Sequence, residues 1–462
     1  MSLDPVLSRI DADLDQSITR LMELLRIPSI STDPAYQQPC QDAADWLVKD
    51  LQSIGIDAQK RPTPGHPMVV GHVGDPGDAG PHVLFYGHYD VQPVDPLELW
   101  NTPPFEPELQ DTPNGRVIRG RGSSDDKGQL MTFVEACRAW KAVHGKLPCR
   151  ITFFFEGEEE SGSPSLIPFM KDHAEELKAD IALICDTSMV SPGVPSIAGQ
   201  LRGMLKDEFT ITGPTIDLHS GHYGGPGLNP LKEIARLVAS FHDDDGRVAV
   251  EGFYDGVHEV PADQLAAWQD CGFDEQTYLN SVGYTVPHGE KGYSTLEQQW
   301  ARPTLEVNGL WGGYQGAGSK TVIPSQAHCK ITCRLVGDMD PAALQKKIRA
   351  HVEARLSPDA KITWDKTPEG SPASVMDTSR PEFAAARAAL SAEWNREAVV
   401  TGMGGSIPIA GFFKSILGME SMLIGFAHDD DAIHSPNEKY NVESFHKGIR
   451  SWARVLDEMT KG

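Results

Sequence analysis

Three short apolar runs constrain the fold more than any other feature of this chain. "VLFY" (83–86), "ITFFF" (151–155) and "IALIC" (181–185) are too short for helices and nearly free of polar positions. Runs of this kind suit strands covered on both faces, as in a parallel sheet flanked by helices. Segments with helical periodicity separate them. "DDKGQLMTFVEACRAWKAVHG" predicts a helix closing on Gly145, and "PSLIPFMKDHAEELKA" predicts another. Strand and helix alternate as in an α/β domain with a mostly parallel sheet. The same style returns after residue 376, with a helix "RPEFAAARAALSAEWN", a strand "ESMLIGFAHDD" and a closing helix "NVESFHKGIRSWARVLDEMT".

Between these parts the pattern changes. "MLKDEFTITG" alternates polar and apolar residues like a strand with one wet face. A helix, two strands, a helix and a last strand follow, a βαββαβ order of α+β type. The stretch 250–302, rich in Gly, Pro and aromatics, is set aside as an insertion. A chain of 462 residues is too long for one core. The expected division is therefore a large domain in two parts, 1–199 and 376–462, with a smaller domain, the lid, inserted over 200–375. Helices cover one face of the lid sheet, which leaves the other face for a partner.

Charge and cysteine usage narrow the function classes. A net charge of −24 disfavours nucleic acid and anionic membrane surfaces, both of which need clustered Lys and Arg. Seven cysteines, an odd number with no CxxC pair, argue against a disulfide framework. Cys329 and Cys333 lie on one predicted strand about 13 Å apart, too far to share a metal, and read as core thiols. The N-terminal segment predicts an amphipathic helix ending before Pro28 and has no basic leader. No run approaches the ~20 apolar residues of a membrane span. A cytoplasmic location is the expectation.

Ligands in open α/β sheets bind at the carboxyl ends of the strands. "VLFY" leads to His88 and Asp90. "ITFFF" leads to Glu156, Glu158, Glu159 and Glu160. "IALIC" leads to Asp186, and the last strand leads to His428 and then His434. "GRGSSDDKG" adds Asp125 and Asp126 where a helix begins. Each feature alone has an ordinary structural explanation: acids favour helix N-termini, and Asp is a common cap. "HDDD" at 428–431 reads as a solvated loop. Together, however, several like charges at one crevice need a cation to hold them. Two imidazoles with several carboxylates suit zinc, manganese or cobalt, with donors enough for two ions.

The motifs "GHYDVQP", "GRGSSDDKG", "EGEEESGS", "ICDTS", "DLHSGHYGG", "SKTVIP" and "IHSPNEKYN", in this order, resemble those of the co-catalytic metallopeptidases of the carnosinase type. That family includes cytosolic non-specific dipeptidases, acetylornithine deacetylase and carboxypeptidases. The resemblance implies two divalent ions per subunit, Zn or Mn, held by His88, Asp125, Glu160, Asp186 and His434. Asp125 would bridge the ions, and its bond to Asp126 would be cis. Asp90 would orient His88, Glu159 would be the general base, and Glu158 would be a bystander. His219 would reach the active site of the other subunit of a homodimer formed through the lid. Arg334, Ser406, Gly405 and Thr321 would bind substrate, with Arg334 gripping its terminal carboxylate. Relatives carry charged residues where this chain has Gly402, Met403 and Gly404. The implied activity is hydrolysis of dipeptides or short peptides. The alternatives are an N-acyl amino acid deacylase and a non-catalytic paralogue.

Overall fold

The apolar runs form adjacent strands, and the sheet they build is parallel at its centre and mixed toward its edges. The computed structural model of the chain describes residues 1–405 and 407–461. The large sheet has nine strands. Its central four run parallel in the order Ile151–Glu156, Val83–His88, Ile181–Ile184 and Glu420–Leu423. The first three are buried at every position. Successive side chains explain this burial. Phe85 stacks on Phe133 of the Lys127–His144 helix with ring centroids 3.8 Å apart, and meets Trp452 of the Val442–Glu458 helix edge-on. Tyr86 points the opposite way, to Phe413, and Phe154 on the neighbouring strand stacks on Phe169. Apolar residues at every position are thus what a sheet with two covered faces requires.

The topology fixes where a crevice opens. From Val83–His88 the chain crosses to Ile151–Glu156 on one side. From Ile181–Ile184 it continues to Ser196–Leu201 on the other. These two strands are neighbours, so the connections diverge at their carboxyl ends, beside His88 and Asp186.

A second sheet holds Thr304–Gly312, Gln326–Leu335, Gly203–Thr212 and Lys361–Trp364, in that order and all antiparallel. Alternate residues of its two long inner strands bury against a separate apolar core that includes Ile234, Leu237, Leu344 and Ile348 of the Pro230–Ala239 and Pro341–Glu353 helices. Cys329 and Cys333 point into this core, whereas Arg334 lies on the opposite, wetter face. Burial pushes the Cys329 thiol up to about 12 and raises that of Cys333 as well. All seven cysteines are unpaired and buried.

The 250–302 stretch, set aside as an insertion, is helical in part, with Ala262–Asp270, Glu275–Ser281 and Thr295–Trp300. Trp268, Leu296 and Trp300 pack on Val194 and Val399 beside the large sheet, and Trp268 Nε1 donates to Val400 O at 2.9 Å. Two expectations are corrected. The "PSLIPFMKDHAEELKA" segment is two helices, Leu166–Asp172 and Ala174–Leu177, broken at His173. The "HDDD" segment is not uniformly solvated, because Asp431 is fully buried and both ring nitrogens of His428 are bonded, to Asn441 and Ser444.

Candidate metal centre

His88 ends its strand with a buried ring held from both sides. Nδ1 lies 3.1 Å from Asp90 O and 3.3 Å from Asp90 Oδ1. Nε2 lies 3.0 Å from Asp125 Oδ1 and 3.9 Å from Asp186 Oδ2. Asp90 also has a second task. Its Oδ1 accepts from Glu159 N at 3.2 Å and its Oδ2 from Glu160 N at 3.0 Å. One buried carboxylate therefore orients the imidazole and fixes the turn that carries both glutamates.

The other oxygen of Asp125 faces His434, with Oδ2 to Nε2 at 3.0 Å, and Glu160 Oε1 lies 3.4 Å from the same nitrogen. The Asp125–Asp126 peptide is cis. Two donor groups result, His88–Asp125–Asp186 and Asp125–Glu160–His434, each with ligand atoms within 4.8 Å of one another. Asp125 is common to both.

The charges in this crevice are unbalanced by the chain itself. Burial and the negative charge of Asp125 hold the Asp186 carboxyl well above the usual range. Burial also pushes Glu159 up to about 7, with Glu160, Asp90 and Asp125 adding to the shift against the opposing pull of His88. Hydrogen bonds to Asp125 and Glu160 hold His434 up to about 10. Within the chain, the imidazoles of His88 and His434 are the groups that face these acids. Divalent ions in their place would satisfy the same oxygens and free both rings to coordinate, so the donor set fits a pair of metals.

Glu158 and Glu159 divide as the "EESG" register implies. Glu158 is buried and accepts from His66 N and Ser165 N, each at 3.0 Å. Glu159 belongs to neither donor group, and its carboxylate makes no hydrogen bond among the described residues. Glu156 is buried away from the donors, where Tyr86 OH donates to it at 2.5 Å. His428 joins neither group that contains Asp125, contrary to the reading of its strand end as part of the crevice.

The residues expected to bind substrate are more dispersed. A 290 Å³ cavity is lined by Thr187, directly after Asp186, and by Arg202, Tyr278, Trp300, Met403 and Gly405. A Cβ on Gly402 would meet Trp300 Cβ at 2.4 Å, so the Gly402 position is shaped by the inserted helices. Gly405 has ordinary room, since a Cβ there would stand 3.5 Å from Met403 Cε. Arg334 stands between Met204 and Thr304 on its sheet. Arg202 is close enough for the charge of Arg334 to add to burial in pulling its pKa down to about 10. His219 and Thr321 meet on an exposed ribbon, where His219 pairs with Val322 and Ser220 N donates to Thr321 O at 3.0 Å. Within one chain, neither makes a hydrogen bond to the metal-ligand cluster among the described residues. Ser406 lies outside the described residues.

Several site residues escaped sequence reasoning. Gln92 Nε2 donates to Glu160 Oε2 at 2.6 Å, and it sits inside the quoted "GHYDVQP". Glu438 lies inside "IHSPNEKYN" and Arg202 outside every quoted motif, and no spacing rule marked either.

Histidines and carboxylates gathered at the strand-end crevice of a parallel sheet, with one carboxylate shared by two donor sets, define a candidate two-metal hydrolase centre. Residues 84–458 match Peptidase family M20/M25/M40, and the chain belongs to that family. Among its relatives, the "Cys-Gly metallodipeptidase DUG1" of Candida albicans is 31% identical over 99% of this chain and 97% of that protein. The human "Beta-Ala-His dipeptidase" is 28% identical over 99% of this chain and 93% of its own length. The solved structure of the dipeptidase Dug1p from Saccharomyces cerevisiae superposes with a TM-score of 0.81 at 29% identity, covering 100% of this chain and 99% of that one.

Proposed function

We propose that this protein is a metal-dependent dipeptidase that hydrolyses dipeptides or short peptides bearing a free C-terminus. The observation that carries the reading is the pair of donor groups sharing Asp125, with Glu159 beside them and outside both. His88, Asp125 and Asp186 would hold one ion, and Asp125, Glu160 and His434 the other, Zn or Mn by donor type. Bound ions supply positive charge that acidifies water and polarises the scissile carbonyl. Glu159 takes the proton of the attacking water at its carboxylate and returns it to the leaving nitrogen. Asp90 keeps His88 in register and holds the Glu159 turn. Arg334 grips the substrate carboxylate, and Arg202 adds charge nearby. Ser406, Gly405 and Thr321 complete the substrate contacts.

In this reading, residues 1–199 and 376–462 form the catalytic part and 200–375 the lid. The wetter face of the lid sheet meets a second copy in a homodimer. His219, exposed in the single chain, then donates to the developing oxyanion in the partner's site. The buried, unpaired cysteines suit a cytoplasmic location. No helix among the described residues is long and apolar enough to cross a membrane.

The test is amino acid release by metal-stripped protein reloaded with Zn or Mn, offered unblocked dipeptides beside N-acetyl amino acids. Metal-dependent cleavage of the dipeptides is expected. Cleavage of the acylated compounds alone would make the protein a deacylase, and inactivity with two ions bound would favour the non-catalytic reading.

Loading is also expected to release protons. His434, held up to about 10, is protonated at pH 7, and His88 is raised in the same direction because its bonds to Asp125 and Asp90 outweigh burial. A coordinating imidazole must be neutral and a coordinating carboxyl ionised, so uptake at pH 7 is expected to expel protons, those of His434, His88 and Asp186 among them. Affinity therefore falls as pH falls. Calorimetry in buffers of different ionisation enthalpy measures the release, and a value near zero would contradict imidazole coordination.

A further inference from the structure

Two buried carboxylates outside both donor groups converge on the turn that carries Asp125. Glu438 is fully buried. Its Oε2 accepts from Arg121 Nη1 at 2.8 Å and Gly122 N at 3.0 Å, and its Oε1 from Ser124 N at 2.9 Å and Asp125 N at 3.1 Å. Asp431 is equally buried. Its Oδ2 accepts from Ser124 Oγ and His428 N, both at 2.8 Å, and its Oδ1 from Lys439 Nζ at 2.7 Å. Every one of these seven contacts is a donor, so each carboxylate fits only as an acceptor.

The backbone reinforces the link. Lys439–Asn441 pairs antiparallel with Gly115–Arg119, which leads directly into the turn, and Gly120 N donates to Glu438 O at 3.1 Å. Asp431 and Glu438 flank His434 in sequence, and both bond to the turn around Asp125. The loop bearing one ligand is thereby locked to the turn bearing the other. The third acidic group, His428–Asp430–Asp431, belongs to this lock. Lys439 Nζ already bonds both aspartates, and the His428 ring is engaged by Asn441 and Ser444.

We propose that Asp431 and Glu438 are positioning residues that hold the His434 loop against the Asp125 turn, so that their loss weakens the Asp125–Glu160–His434 site, where both loops supply ligands, more than the site that shares Asp125 alone. The inference rests on the two-metal reading above. The asymmetry follows from the scaffold. His88 and Asp186 stand at the ends of adjacent, buried, hydrogen-bonded strands. Asp125 and His434 stand on loops, and the two carboxylates are what tie those loops together. Outer partners of this kind affect metal affinity by roughly 10–100-fold.

The experiment is a competition titration of Zn against a chromophoric chelator, fitted to two dissociation constants, with thermal unfolding read on each variant. Asp431→Asn and Glu438→Gln place an NH2 group against existing donors. One constant is expected to rise roughly 10–100-fold and the other, whose site shares only Asp125 with the displaced loops, by clearly less. Ser124→Ala deletes one donor to Asp431 while leaving both carboxylates. It should move the same constant in the same direction by less, and it decides the question if the buried variants do not fold. Asp245→Asn, at an exposed pair with Lys291 outside these loops, should leave both constants unchanged. Wild-type constants in Ser124→Ala and in the folded variants, or equal weakening of both sites, would overturn the proposal. A wild-type protein that binds no pair of ions would remove the two-metal reading itself, and the inference with it.

Discussion

Replacing Glu159 with Gln is expected to lower kcat on a dipeptide by roughly 10²–10⁴-fold while two ions stay bound. The argument is local. Glu159 lies in neither donor group, so the amide should cost no metal ligand. Its backbone nitrogen is held by Asp90 Oδ1, which a side-chain amide leaves undisturbed. What the variant removes is a proton acceptor in a crevice where burial holds the carboxyl up to about 7, near the working range of a general base. The decrease should fall on kcat, with little change in KM, because the lost interaction belongs to the transition state. Metal content and kcat measured on the same preparation separate the two effects. Full activity in Glu159→Gln would move the base to a neighbour in the triplet. Glu158 is a poor candidate, because its carboxylate is committed to His66 N and Ser165 N; Glu158→Gln should instead lower thermal stability.

The parts of this molecule that were legible in the sequence are those whose signals are local. An apolar strand followed within a few residues by acids or imidazoles needs no long-range information; His88, Asp90, Asp186 and the glutamates at 156–160 were found that way, and the family resemblance then singled out Glu160 as a ligand. The half-polar alternation of Gly203–Thr212 likewise reported a sheet with one wet face. What was missed depends on contacts between distant segments. Glu438 reaches Arg121 across 317 residues, and nothing in "SPNE" marks it as a buried acceptor. His428 and Asp431 read as solvent-facing because their partners Asn441, Ser444 and Ser124 lie elsewhere. The inserted helices failed for another reason. Ala262–Asp270 buries only Trp268, and Glu275–Ser281 only Leu279, too few apolar positions to define a period. Their caps were readable all the same. Ser294 and Glu297 form a capping box, and Asp274 accepts from Thr277 N.

Asp125→Asn is expected to cost more than the loss of any other single ligand, because it acts on both sites. Asp125 presents Oδ1 to His88 Nε2 and Oδ2 to His434 Nε2, each at 3.0 Å. Asn offers one acceptor oxygen where two are used, and its NH2 group must face one of the two positions. The charge matters as well. Two divalent ions held by donor groups that share a residue would repel each other, and a shared carboxylate is the group best placed to offset that repulsion. Without it, binding the first ion opposes the second. Asp125→Asn should therefore retain fewer than two ions at Zn concentrations that saturate the wild type, with activity reduced by at least about 10³-fold. His434→Ala makes the informative comparison, since it touches only the Asp125–Glu160–His434 group and should keep one ion on His88 and Asp186. Metal content after gel filtration, measured beside kcat for both variants, reads the difference. Two ions retained by Asp125→Asn at wild-type affinity would mean that the two donor groups act separately and that Asp125 does not bridge them.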